Sequence, residues 1–137
     1  MMFDDSMTGK CGKAIQALSR FIDTTNDPKK ILSDWSSIIQ FDLIGEEPFY
    51  LTISGGSASF NEGKVEAPDA VLSGKSNTFF DVITGKLDPD VAYAMKKYDV
   101  KGSVVDAMKF RRVSELTEER HKATFSILKK VGGIAFR

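Results

Sequence analysis

Residue types that shuttle protons or bind metals are scarce in this 137-residue chain, which holds one histidine, His121, and one cysteine, Cys11. A Ser–His–acid relay needs a histidine to carry the proton. His121 sits in Glu118-Glu119-Arg120-His121-Lys122, a charged run of the kind that covers a solvated helix face. A structural zinc site takes four ligands, mostly Cys and His, and the two available stand near opposite ends of the chain. No Gly-x-Ser-x-Gly elbow is present. Gly85-Lys86 lacks the upstream glycine and the following Ser or Thr of a phosphate loop. Gly55-Gly56 is followed by strand-like residues, not by the helix that a dinucleotide fingerprint opens. Asp88 and Asp90 are a carboxylate pair of the kind that can act as acid and base, but Asp88-Pro89 reads as a helix start with Asp88 as N-cap and Asp90 on the surface. No catalytic residue, cofactor or metal is expected.

The remaining polar cluster is Lys109-Phe110-Arg111-Arg112. It follows the apolar stripe Val104, Val105, Ala107, Met108 on a helix that opens after Gly102-Ser103. Two readings stand. The cations hold a carboxylate or phosphate head group at the mouth of a cavity, or they form a solvated helix end, where positive charge also suits the helix dipole.

The elements that position these residues follow from periodicity. Cys11, Ala14, Ile15, Leu18, Phe21 and Ile22 recur at helical spacing over about Lys10 to Thr24. Asp27-Pro28 reads as the start of a shorter helix with Ile31, Leu32 and Trp35 apolar, Trp35 anchoring it to the sheet. The period then changes. Ile38 to Ile44, the alternating Phe49-Tyr50-Leu51-Thr52-Ile53, Ser57 to Phe60 and Ala70 to Ser73 read as strands, with Lys64 to Glu66 as a further extension of the sheet. Turns at Gly45-Glu46-Glu47-Pro48, Ser54-Gly55-Gly56-Ser57 and Asn61-Glu62-Gly63 make this an antiparallel meander. Ser76 caps a helix with Phe79, Phe80, Val82 and Ile83, and Gly85 ends it. A short helix after Asp88-Pro89 carries Val91, Ala92 and Met95 on one face, and Tyr98 to Lys101 is a strand. A final helix begins near Thr117 with Glu118 and Glu119 in its first turn and Lys129-Lys130 in its last, before Gly132-Gly133.

The order Gly85-Lys86-Leu87-Asp88-Pro89, then Ala92-Tyr93, then Lys101-Gly102, then Ala107-Met108-Lys109-Phe110 resembles the sterol carrier protein type 2 domain. Phe41-Asp42-Leu43, Phe49 to Ile53 and Pro68-Asp69-Ala70-Val71-Leu72 stand where that family has its first, second and fourth strands. The resemblance covers roughly Trp35 to Val113 and leaves the N-terminal helix and the helix after Thr117 outside it. It implies one domain over residues 1–137 and an α/β (α+β) fold. About five strands, mostly antiparallel, would be covered by helices and enclose an apolar tunnel for a sterol, fatty acid, acyl-CoA or isoprenoid. It places Phe79, Phe80, Ile83 and Leu87 near that tunnel. Tyr93, Val100, Val104 and Met108 join them, with Arg111 and Arg112 as the head-group candidates. Periodicity alone says only that the apolar ones are buried. Asp90 departs from the Gln that many members carry beside this proline, which changes the polarity of the tunnel if the position faces it.

Bulk properties agree with a soluble fold. Hydrophobic residues make up 42% of the chain, and ten Phe stand against three Tyr and one Trp, a skew that suits a core or an oily pocket equally. The net charge is zero, but residues 1–95 carry 8 basic and 14 acidic residues and residues 96–137 carry 11 and 5, balances of −6 and +6. The basic half suits an anionic membrane surface or a CoA phosphate, or else neutralises the acidic half across their contact. With a pI near 6.6 and no aromatic–basic platform in the strands, nucleic acid is not an expected partner. One cysteine, an acidic Met-Met-Phe-Asp-Asp start and an Ala135-Phe136-Arg137 end that is not Ser-Lys-Leu lead to a cytoplasmic expectation. The expected function is non-catalytic lipid binding. The alternative is an accessory or dimerising subunit of a lipid-metabolising enzyme complex.

Overall fold

Alternation over β2, Phe49–Ser54, buries Phe49, Leu51 and Ile53 and leaves Tyr50 and Thr52 half-exposed. This sidedness defines the apolar face of the sheet. The computed structural model describes residues 9–27 and 29–127. β1 is Ser37–Ile44, β3 Ser57–Glu62, β4 Ala70–Lys75 and β5 Tyr98–Gly102. The helices are α1, Lys10–Ser19, α2, Ser76–Ile83, α3, Pro89–Ala94, and α4, Val104–Arg120. The strand order is β3-β2-β1-β4-β5.

The expected meander is interrupted once. β1 pairs with β2, β2 with β3 and β4 with β5 in antiparallel fashion, but β4 lies parallel to β1, with Phe41 opposite Leu72. The chain crosses from one sheet edge to the far side of β1 through residues 63–69, the stretch expected to extend the sheet at Lys64 to Glu66. Gln40, buried on the face opposite Ile39 and Phe41, holds this crossover. Its amide donates to the carbonyls of Phe49 (3.1 Å) and Gly63 (3.3 Å), and its Oε1 accepts from the Val65 N–H (2.9 Å). A buried amide with several bonded groups is stable where an unpaired one is costly.

Three helical expectations are corrected. α1 ends at Ser19, not near Thr24. Thr24–Asn26 forms a 3₁₀ turn whose N-cap, Asp23, accepts from the Thr25 N–H at 3.0 Å, a local side-chain bond that competes with helix. No helix follows Asp27. Residues 29–34 form turns, and Lys30 takes a positive φ of 57°, which ends right-handed helix. Leu32 and Trp35 are buried there, while Ile31 is exposed. Finally, no new helix begins at Thr117. α4 runs unbroken past Val113, and the Ser114 and Thr117 hydroxyls donate back to the carbonyls of Phe110 and Val113, at 2.9 and 2.7 Å, so that Thr117 is not a cap. Helical residues resume at 122–127 after His121. Lys129-Lys130 and Gly132-Gly133 lie outside the described residues.

Two starts behave differently from each other. Asp88 caps α3 as expected, its Oδ1 accepting from the N–H groups of Asp90 (2.8 Å) and Val91 (3.1 Å). Ser76 is the first residue of α2, not its cap, and its hydroxyl donates to Glu46. The Glu46 carboxylate also accepts from the Cys11 and Gly12 N–H groups, at 2.9 and 3.0 Å, at the start of α1. One side chain thus ties two helix N-termini to the β1–β2 turn.

The core is aromatic. Phe41 stacks on Phe49 with centroids 4.8 Å apart and meets Phe79 and Phe110 edge-on at 5.8 and 5.7 Å. Trp35, buried, donates from Nε1 to Asp106 of α4 at 3.0 Å. At the start of α4, the Ser103 N–H donates to the Asp69 carbonyl at 2.8 Å, and the Ser103 hydroxyl accepts from the Asp106 N–H at 3.0 Å. Gly102 precedes it with φ +81°, and a Cβ at that position would lie 2.5 Å from the Asp69 carbonyl oxygen. Gly102→Ala should therefore destabilise the fold by about 1–3 kcal/mol, seen as an earlier urea midpoint. An unchanged midpoint would show that the β5–α4 junction relaxes without cost.

Candidate functional site

α3 has six residues, too few to cover the sheet end beneath it. Of its apolar stripe only Ala92 is buried, while Val91 and Met95 are exposed. A cavity of about 370 Å³ lies between this helix, α4 and the sheet, within the ~300–1,000 Å³ span of small-molecule sites. Its floor is Leu72 of β4 with Tyr98 and Val100 of β5, Leu72 and Val100 being register partners. Phe79, Val82 and Ile83 of α2 form one wall at i, i+3, i+4 spacing. Buried Ile15 and Leu18 of α1 and Phe110 of α4 also line it.

The opposite wall is one face of α4. Val104, Ala107, Met108, Arg111, Glu115 and Glu118 recur every three or four residues and line the cavity. Val104 and Met108 are 46% and 65% exposed, and Tyr93 of α3 is 45% exposed, so the mouth opens to solvent between α3 and α4. The Tyr98 hydroxyl donates to the Pro89 carbonyl at 3.0 Å, linking β5 to α3. Burial holds that phenol above its ordinary range, so it stays a neutral donor.

Seven of the ten residues singled out in the sequence line this cavity: Phe79, Ile83, Tyr93, Val100, Val104, Met108 and Arg111. Three do not. Phe80 points off the lining face of α2, with Lys10 Nζ 4.8 Å from its ring centroid. Leu87 sits half-buried in the α2–α3 connection, its N–H bound to the Asp81 carbonyl at 3.1 Å. Arg112 is one residue off the lining face of α4, half-exposed and 3.8 Å from Glu115. Arg111 does reach the cavity, but it is already engaged. It pairs with Asp90 of α3, and its Nε donates to Glu115 at 3.2 Å. The Asp90 bond is the main reason its guanidinium is held above its ordinary range.

Leu72 and Ala107 were not among the sequence candidates because pairing partners and helix rotation are not printed in one strand or one turn. Ser114, Glu115 and Glu118 follow from extending the 104–108–111 spacing once α4 is known to be continuous.

The two residues with reactive chemistry lie outside the lining. His121 packs on Phe21, centroids 4.8 Å apart. Cys11 is buried, and its Sγ donates to the Ser76 carbonyl at 3.2 Å. Burial first, then the Glu46 charge, pushes its thiol well above the usual range. Among the described residues, no three His, Cys, Asp or Glu side chains gather as a metal site, and no helix is long and apolar enough to cross a membrane.

Residues 16–115 match the SCP-2 sterol transfer family. The chain belongs to the SCP-2 sterol transfer family. The match begins at residue 16, near the end of α1, and ends at residue 115, within α4. The fold is similar to that of sterol carrier protein domain 2 of Helicoverpa armigera, with a TM-score of 0.59, 20% identity, and 85% of this chain and 94% of that one covered. A UbiJ-SCP2 ubiquinone synthesis protein aligns at TM-score 0.60 and 12% identity, over 79% of this chain and 96% of that one. Hydroxysteroid dehydrogenase-like protein 2 of Xenopus tropicalis is 32% identical over 79 residues, 56% of this chain. The chain spans about a fifth of that relative's length, 19%.

Burial and the raised thiol pKa of Cys11 together predict a cysteine that is unreactive while the SCP-2 domain is folded. Iodoacetamide at pH 8 should leave Cys11 unmodified in the native protein and label it in urea, read by intact mass. Rapid labelling of the native protein would mean that the α1–α2 contact opens readily.

Proposed function

We propose that this SCP-2 domain binds an apolar or amphipathic lipid in the α2–α3–α4 cavity without catalysing a reaction, and passes it on. Sterol, fatty acid, acyl-CoA and isoprenoid ligands all belong to this class. The observation that carries the reading is the cavity itself: an apolar floor and wall open to solvent through exposed Tyr93, Val104 and Met108. Affinity comes from the apolar surface removed from water, about 0.8 kcal/mol per methylene. Phe79, Ile83 and Val100 take the ligand's apolar body in this reading, while Met108 adapts at the rim.

The ligand is exchanged with an anionic membrane surface. Exposed Val91, Met95 and Val105 stand in the same segment as Lys96, Lys97 and Lys101, also exposed, the combination of apolar contact and positive charge that such a surface attracts. A second reading, an accessory or dimerising subunit of a lipid-handling enzyme complex, is favoured by the same exposed apolar rim. Two relatives also support it: one a ubiquinone synthesis protein, the other about five times longer than the match. Solution mass separates a monomeric carrier from an obligate oligomer.

Affinity for a series of straight-chain lipids should rise by about fourfold per added methylene until the cavity is full, then level off. Ala107→Leu, which fills space from the α4 wall, should bring that levelling to a shorter chain and leave the melting temperature nearly unchanged. A series with no plateau, or one unaffected by Ala107→Leu, would place the lipid elsewhere.

A further inference from the structure

The arginine at the charged edge of the cavity is already paired with carboxylates of the protein. Among the described residues, Arg111 is the only cation in the lining, against three carboxylates, Asp90, Glu115 and Glu118. It is not waiting for a ligand: Asp90 and Glu115 already accept from it. The neighbouring Arg112 contacts Glu115 at 3.8 Å, and Lys109 and Arg112 both lie off the face of α4 that lines the cavity. An anionic head group reaching Arg111 would have to displace a carboxylate that stays tethered close by. It would gain one ion pair, lose another and add a like-charge contact.

Given the lipid-binding reading above, on which this inference rests, we infer that the cavity takes uncharged, hydroxyl-bearing lipids in preference to fatty-acid carboxylates or acyl phosphates. A hydroxyl group donates to Asp90 or Glu115 without breaking the Arg111 pairing, and a carboxylate near neutral pH has no proton to donate. Asp90 is the specificity-determining position. It stands at the N-terminus of α3, reaches across the mouth to α4 and quenches the guanidinium there.

The test uses two probes with one chain and two heads, 1-dodecanol and dodecanoate, measured at pH 7.5 by displacement of a fluorescent lipid. The proteins are the wild type, Asp90→Asn, Glu115→Gln and the double variant. Both acids are at least half exposed or nearly so, with side-chain exposures of 75% and 47%, so the substitutions leave the core untouched, and the single variants repeat the test if the double one folds poorly. The wild type should bind the alcohol roughly tenfold more tightly than the carboxylate. The double variant, with Arg111 released, should gain affinity for dodecanoate and gain none for dodecanol, whose hydroxyl loses its carboxylate acceptors, so that the ratio approaches one or inverts. Equal or tighter binding of dodecanoate by the wild type overturns the inference and leaves lipid binding intact. A wild-type preference for the alcohol that the variants do not alter removes Asp90 and Glu115 as its source. Failure of the wild type to bind either probe overturns the lipid-binding reading itself.

Discussion

Asp69 joins three parts of the chain at one point. Its carboxylate accepts from the Ile38 N–H at 2.7 Å, its own N–H donates to the Ile38 carbonyl, and its carbonyl accepts from Ser103. The start of β1, the start of β4 and the first turn of α4 are fixed together by these bonds. Gly102 permits the approach because no side chain stands between β5 and the Asp69 carbonyl. Trp35 completes the anchorage by holding Asp106 from the segment before β1. Because α4 is pinned here, its apolar face stands over Leu72 and Val100, and the space between them is bounded on a third side only by short α3. The cavity is the consequence of a long helix held firmly at its first turn and a neighbour of six residues that cannot fill the gap.

The phenylalanines divide the interior into a solid part and an open part. Phe60, Phe49 and Phe41 stack in succession across β3, β2 and β1, and Phe79 and Phe110 close on Phe41 edge-first. That half is filled in the manner of an ordinary core. Phe79 and Phe110 also present a surface to the cavity, so the same two rings seal the core and line the site. Tyr98 and Tyr93 continue the aromatic series from Phe79 to the mouth, at 6.2 and 5.6 Å. A ligand's apolar body would therefore rest against side chains already locked by the core, a preorganised wall facing a more exposed rim.

Much of this was legible in the sequence where local chemistry and tertiary structure agree. The alternation of Phe49, Leu51 and Ile53, the Asp88-Pro89 start and the Gly102-Ser103 turn each specify their own geometry within a few residues. The parallel placement of β4 was hidden, because it depends on Gln40 bonding a crossover that follows β3 by sequence but passes behind β1. Thr117 looked like a helix start because a threonine before two glutamates has the chemistry of a cap. Its hydroxyl is instead used inside a helix already under way. The apolar stripe of α4 was correctly read, but its fate was not: Val105 and Met108 are exposed, since periodicity reports a face and not what covers it. The pairing of Arg111 with Asp90 joins two helices separated by a strand, and nothing in either segment alone announces it.

Membership of the SCP-2 sterol transfer family and an open, apolar cavity lead to one central claim, that this chain carries lipid. Native mass spectrometry of the purified protein, followed by organic extraction of whatever is released, tests that claim most directly. The account predicts a co-purifying lipid at near-stoichiometric amount, or a bound species once the apo protein meets long-chain lipids. An apo mass that stays unchanged after exposure to alcohols, fatty acids, acyl-CoA and sterols would contradict it.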